Sequence, residues 1–177
     1  MDAMFHDREL TPRSFLDRRD EINAKLRSKR QIELRVALYA FGEEALIACA
    51  TSGFSEAGTP VRLPFSVSND DLGQAVRELL LQTYLHPVPS HTDAKLSDWP
   101  AFVVSGAKSG RAFEENCTYL SVETVNTALR IHASRRKPPS AVYIGQDHSL
   151  AVDSEELGAS IRNLVSIVRR LDSQDAL

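Results

Sequence analysis

The chain has 177 residues, 42% of them hydrophobic, which is enough for one filled core and too few for two ordinary domains. Its formal net charge of −3 lacks the basic balance of a nucleic-acid-binding domain and suits a basic protein partner better than DNA or RNA. Met1 to Leu10 carries charges and no apolar core, and no run approaches the ~18 apolar residues of a membrane span, so no signal peptide and no membrane contact are expected and the chain reads as cytoplasmic.

The first predicted element is a helix. Thr11 can cap it, Pro12 suits its first position, and Phe15, Ile22 and Leu26 share one face. It ends near Lys29 and Arg30, where cations complement the helix dipole. Strands are predicted over Glu33 to Phe41 and Ala45 to Thr51, joined by a turn at Gly42-Glu43-Glu44. After a loop from Ser52 to Pro60, a third strand spans Val61 to Val67, and Pro64 marks it as an edge or bulged strand. A helix follows Val67. Leu85 to Pro100 reads as a proline-bearing loop, and Ala101 to Phe113 as a short helix or turn. A second strand pair covers Cys117 to Thr124 and Ala128 to Ala133. Arg135 to Ser140 reads as a basic loop, Ala141 to Ile144 as a short strand, and Leu150 to Val152 as another or as the approach to the last helix. That helix runs from Ser154 to Leu171.

Val67 to Leu80 aligns without gaps to Val152 to Val165, an offset of 85 residues that carries Leu72-Gly73 onto Leu157-Gly158. Helix-start chemistry accounts for most of the match. Ser68 and Asp153 are N-caps, Asp71 and Glu156 complete capping boxes, and Val67/Leu72 and Val152/Leu157 have the spacing of a hydrophobic staple. Capping does not explain the glycines, each of which costs roughly 1 kcal/mol against Ala inside a helix. They predict that another backbone crosses closely, with both helices packed tightly on the sheet at equivalent points.

The expected fold class is α+β: a largely antiparallel sheet with helices packed against it, in two related strand-rich halves sharing one core. The expected organisation is a single domain over 1–177, with an N-terminal helical segment at 1–32 and β-rich halves at 33–84 and 114–171, each closed by a helix. Cys49 and Cys117 sit in apolar strands and read as buried reduced thiols. A disulfide would require those strands to be neighbours.

No catalytic motif is complete. Ala107-Lys108-Ser109 ends like a phosphate-binding loop, but Ala107 stands where Gly is required. Gly53-Phe-Ser55-Glu-Ala57 lacks the last Gly of a nucleophile elbow, and Pro60 with a strand follows it instead of a helix. His86 and His91 share a loop without metal-ligand partners, so no metal and no cofactor are expected.

Two groups of residues carry a resemblance. The first is Ser105-Gly-Ala-Lys-Ser-Gly-Arg-Ala-Phe113 followed by Cys117-Thr-Tyr-Leu-Ser-Val-Glu123. The second is the pair of strand-to-helix segments with Leu72-Gly73 and Leu157-Gly158. In these segments, across roughly Trp99 to Val168, the chain resembles the contact-dependent growth inhibition immunity proteins of the CdiI family. Members often carry Trp after Lys-Ser where this chain has Gly110. The resemblance implies a non-enzymatic bacterial cytoplasmic protein that binds the C-terminal toxin domain of CdiA, often a nuclease, in a 1:1 complex and blocks its active site. It also implies that a toxin hairpin extends the immunity protein's sheet, with main-chain bonds giving affinity and side chains giving specificity. The expected toxin-binding positions are solvent-facing residues of the second strand group and its loops: Lys108, Arg111, Glu114, Glu115, Glu123, His132 and Asp147. Two other functions stay open: an enzyme assembled around His132, Glu123 and Lys108, and a homo-oligomeric scaffold pairing through a sheet edge.

Overall fold

The structure is a computed structural model that describes residues 34–50, 56–85, 99–125, 128–137 and 140–174. The helix expected between Thr11 and Arg30 lies outside these residues, as do His86 and His91.

Among the described residues, six strands and four helices follow one another: β1 (Arg35–Phe41), β2 (Glu44–Ala50), β3 (Glu56–Pro64), α1 (Asn69–Leu85), α2 (Pro100–Ser105), α3 (Gly110–Asn116), β4 (Cys117–Val125), β5 (Ala128–Lys137), β6 (Ser140–Ser149) and α4 (Ser154–Ser173). The strands form one antiparallel sheet in the order β3-β2-β1-β4-β5-β6. The fold is α+β, as expected. Each meander leads outward from the centre of the sheet and is closed by a helix, α1 after β3 and α4 after β6.

Alternation along the strands divides the sheet into two faces. On one face Val36, Leu38, Ile47, Leu120, Val122, Leu129 and Ile131 are buried beneath the apolar stripes of α1 (Leu72, Val76, Leu80) and α4 (Leu157, Ile161, Leu164, Val168). Each large side chain removed from water there contributes about 1.5–3 kcal/mol. The helix starts are capped as their sequence indicates. The Asp71 N–H donates to Ser68 Oγ at 3.0 Å, and the Glu156 N–H donates to Asp153 Oδ1 at 2.7 Å. Asp71 closes its box differently from the usual pattern, with its carboxylate accepting the Ser68 hydroxyl at 2.6 Å.

Both glycines meet a crossing backbone, but that backbone belongs to the opposite helix and not to the sheet. A Cβ on Gly73 would lie 1.9 Å from the carbonyl oxygen of Ser154, and one on Gly158 would lie 1.9 Å from that of Asn69. Asn69 and Ser154 are the first residues of α1 and α4, so the contact is reciprocal. Polar groups bind the same crossing: Asn69 Nδ2 donates to Glu155 Oε1 at 2.9 Å, and Arg77 Nη1 donates to Ser154 Oγ at 3.2 Å. Arg162, the repeat counterpart of Arg77, donates to the carbonyls of Phe65 and Val67 and stacks over the Phe65 ring.

Element boundaries differ from expectation in β3, which ends at Pro64 and not at Val67, and in β5 and β6. β3 begins at Glu56, because Gly58 (φ 75°) and Pro60 lie in an irregular strand whose register against β2 shifts between Ile47 and Cys49. β5 continues to Lys137, through the segment expected as a loop. β6 continues to Ser149, because Gln146 and His148 place polar side chains where an apolar alternation would have marked a strand. The region 101–113 holds two short helices. Gly106 ends α2 in the left-handed conformation (φ 69°), and Ser109 caps α3 by accepting the Ala112 N–H at 3.1 Å. Lys108-Ser109 thus belongs to a helix cap.

The cysteines are free and lie on opposite faces of the sheet. Cys49 packs against the core beneath α1, and Cys117 packs among the aromatics of the other face. Burial pushes the Cys117 thiol up to about 12 and raises that of Cys49 as well.

Candidate functional site

The second face of the sheet is treated differently along its width. Over β1 and β2 it carries Ala37, Tyr39, Phe41 and Leu46, which pack with Ala101 and Phe102 of α2 and Phe113 of α3. Phe113 is the hub: its ring centroid lies 5.1 Å from that of Tyr39, 5.6 Å from Phe41 and 5.8 Å from Phe102. Glu56 of β3 fixes α2 in place. Trp99 provides no side-chain cap, so the N–H of Ala101 donates instead to Glu56 Oε2 at 3.0 Å, and the Tyr39 hydroxyl donates to the other carboxylate oxygen. Burial raises the Glu56 carboxyl above its ordinary range. The Tyr39 phenol rises too, from burial first and the adjacent carboxylate second.

Over β4 to β6, beyond Cys117 and Tyr119 at the border of the cluster, the same face is largely polar. The outermost row runs directly across four strands as Arg35, Glu123, Arg130 and Asp147, each opposite the next. Its charges alternate. Arg35 and Glu123 form an ion pair in the middle of the sheet, and Arg130 grips Asp147 with Nε at 2.9 Å and Nη2 at 3.2 Å. Side-chain exposure climbs along the row, from 10% and 13% for the inner pair to 37% and 55% for the outer one. The Arg130 hydrogen bonds hold the Asp147 carboxyl below its ordinary range.

The next row is small: Ala37, Ser121, His132 and Gly145. The His132 ring lies against Gly145, where a Cβ would come within 3.0 Å of His132 Cδ2. The third row is Tyr39, Tyr119, Ser134 and Tyr143. Tyr143 sits on the outer strand with 73% of its surface exposed.

The seven residues expected to bind a partner fall into two groups. Glu123, His132 and Asp147 share the polar half of this face. Lys108, Arg111, Glu114 and Glu115 lie on α3 or just before it. Arg111 pairs there with Glu115 at 2.7 Å, and the Glu115 carbonyl accepts from Arg135 Nη2 at 2.7 Å, so this helix abuts the end of β5. Glu123 was expected to face solvent. It is mostly buried, because its cross-strand partner Arg35, 88 residues away in sequence, draws it into the centre of the sheet. Of the residues named for the alternative enzyme, Glu123 pairs with Arg35, and Ser121 stands directly opposite His132. Among the described residues, no three His, Cys, Asp or Glu side chains are grouped to hold a metal ion, and no helix is long and apolar enough to cross a membrane.

Arg130, Tyr143 and Gly145 belong to the site and were missed. Arg130 was legible, since it stands two residues before His132 on the same alternating strand. Tyr143 and Gly145 depended on the full length of β6.

No family model and no curated protein sequence matches the chain. Its fold is similar to that of the protein of unknown function NMB0488 from Neisseria meningitidis, at 20% identity and a TM-score of 0.59, over 78% of this chain and 96% of that one. It is also similar to a chain of the CdiA-CT/CdiI toxin and immunity complex from Yersinia pseudotuberculosis, at 16% identity and a TM-score of 0.53, over 76% of this chain and 96% of that one. At these identities the likeness is one of fold.

Proposed function

We propose that this protein is a single-domain immunity protein of the bacterial cytoplasm. It binds the C-terminal domain of a CdiA-type toxin in a 1:1 complex, covers the toxin's active site, and catalyses no reaction of its own. The observation that carries this reading is the polar, partly exposed half-face over β4 to β6. Two meanders of like topology share the sheet, and the described helices α2 and α3 cover an aromatic cluster centred on the first of them and bordered by Cys117 and Tyr119 of β4. The remaining half presents charges, an imidazole and an exposed tyrosine, a mixture suited to a specific protein interface. The likeness of fold to a chain from a toxin and immunity complex supports the same reading.

On this reading His132, Arg130, Asp147 and Tyr143 contact the toxin, and Lys108, Arg111, Glu114 and Glu115 form a rim. A nuclease toxin, with a basic surface for its substrate, would be drawn to acidic positions such as Asp147. The test is co-expression with the toxin domain encoded immediately upstream. Surviving cells and a co-purifying 1:1 complex are the expected result. Cell death without a complex contradicts the proposal.

A further inference from the structure

The two halves of the sheet are related by a two-fold axis normal to it. β1 and β4 pair antiparallel with Leu38 opposite Leu120, so a half-turn about that pair exchanges β1 with β4, β2 with β5, β3 with β6 and α1 with α4. The reciprocal contacts of Gly73 and Gly158 obey the same operation. The half-turn also carries Tyr39, Phe41 and Leu46 onto Ser121, Glu123 and His132. Phe113 packs on the first three. The second three lie on the polar half-face.

α2 and α3 stand directly before β4 and pack over the other half, on β1 and β2. The half-turn assigns the equivalent place to the chain directly before β1, and that stretch repeats the sequence of α3. Lys108-Ser-Gly-Arg-Ala-Phe-Glu114 aligns without gaps to Arg27-Ser-Lys-Arg-Gln-Ile-Glu33. The Ser, the Arg and the Glu are identical, Lys and Arg share a charge, and Phe and Ile are both apolar. The offset is 81 residues, since 113 − 32 = 81, against 82 for the strands, since 120 − 38 = 82. A repeated unit keeps its packing positions. In α3 the repeated Ser109 caps the helix and the repeated Phe113 anchors it to the sheet. The helix predicted from Thr11 stands ahead of Ser28 as α2 stands ahead of Ser109.

Burial on the polar half-face fits a cover at that place. Ser121 and Arg35 are buried and Glu123 nearly so, yet none of the three belongs to the cluster beneath α2 and α3. Exposure rises outward from them, through Asp147 to Tyr143 on β6.

We infer that residues 27–33 are the counterpart of α3 and dock within the same chain, with Ile32 seated on the second face of the sheet over Ser121, Glu123 and His132. The segment then closes the inner side of the polar half-face and leaves β6, with Tyr143 and Asp147, as its open side. A second copy of the chain is the weaker occupant, because described chain enters the sheet at Leu34, whose carbonyl accepts from the Thr124 N–H, and residues 27–33 lie directly ahead of it.

The test places a nitroxide on the full chain at Lys29→Cys and reads amide resonances, with wild type taken through the same labelling as the blank. Loss of the Ser121 and His132 peaks is expected. The Thr83 hydroxyl donates to the Arg35 carbonyl, so the end of α1 lies beside the start of β1 on the other face. Loss at Thr83 with Ser121 and His132 retained therefore overturns the inference, as does no loss in either place. Two further variants carry the same label. Ile32→Phe, which takes the residue of the repeat, should keep the effect, and Ile32→Asp should restore the His132 peak while the peaks of Val36 to Leu38 show the sheet intact. An effect unchanged by Ile32→Asp overturns the seat assigned to Ile32. Peak loss seen only between a nitroxide-bearing chain and a separate isotope-labelled chain puts the segment on a second copy and overturns the choice of occupant. Every reading is made on the chain without toxin, so failure here leaves the immunity reading standing.

Discussion

The two meanders share an architecture and a helix-covered core, yet their other faces have diverged. Under α2 and α3 the face is a buried aromatic cluster hung on Phe113, with a buried carboxylate, Glu56, capping the covering helix. Over β4 to β6 it is a charged row, a histidine against a glycine, and an exposed tyrosine. A sheet needs only one buried face to fold, and the helices α1 and α4 supply it for both halves. The second face of either half is therefore free to be spent on stability or on recognition, and the proposed function assigns one to each.

The largest effects should break the packed half. Phe113→Ala removes the hub of the aromatic cluster and is expected to cost about 3–5 kcal/mol in urea denaturation. On the same face, Tyr143→Ala should stay within about 0.5 kcal/mol of wild type. A large loss at Tyr143 would mean that the polar half is also a core.

Next come the glycines that join the halves. Alanine in a helix normally gains roughly 1 kcal/mol over glycine, but a Cβ at 1.9 Å from a carbonyl oxygen forces two helix backbones apart. Gly73→Ala and Gly158→Ala are each expected to destabilise by about 1–3 kcal/mol, and by similar amounts because the contact is reciprocal. A stabilising effect at either position would refute the crossing.

Glu56 sharpens the contrast through pH. Its carboxyl is raised by burial, so the unfolded chain gives up the proton at lower pH than the folded one does. Stability from this group is complete below the ordinary glutamate range and is lost as pH rises through the raised folded value. Wild type should lose stability over that window relative to Glu56→Gln, which has no proton to lose. Equal pH profiles would place the carboxylate in water.

The smallest effect concerns the thiols. With Cys117 near 12, only about one molecule in ten thousand carries its thiolate at pH 8. Both cysteines should resist alkylation in the folded protein and react after denaturation. Rapid labelling of the native chain would show that one face opens.

Much of this was legible in the residues. The caps at Ser68 and Asp153, the β1–β2 hairpin and the amphipathic last helix follow from local chemistry. What failed was non-local. Gly73 and Gly158 announced a crossing backbone, but nothing local identified the opposite helix as its owner. β3 and β6 were cut short because Gly58, Pro60, Gln146 and His148 break the apolar alternation within real strands. At the candidate site, His132 and Asp147 were named as solvent-facing positions of the second strand group and its loops, and both lie on the half-face over β4 to β6. Glu123 was misread as exposed because its burial depends on an arginine 88 residues away.

The claim that the half-face over β4 to β6 is the binding surface is tested most directly by hydrogen exchange on the full chain, with and without the upstream toxin domain. The account predicts new protection over β5 and β6, at residues 128–137 and 140–149, a smaller change at the rim on α3, and none over α2. Protection confined to α2 and α3, or to the outer surfaces of α1 and α4, would contradict it.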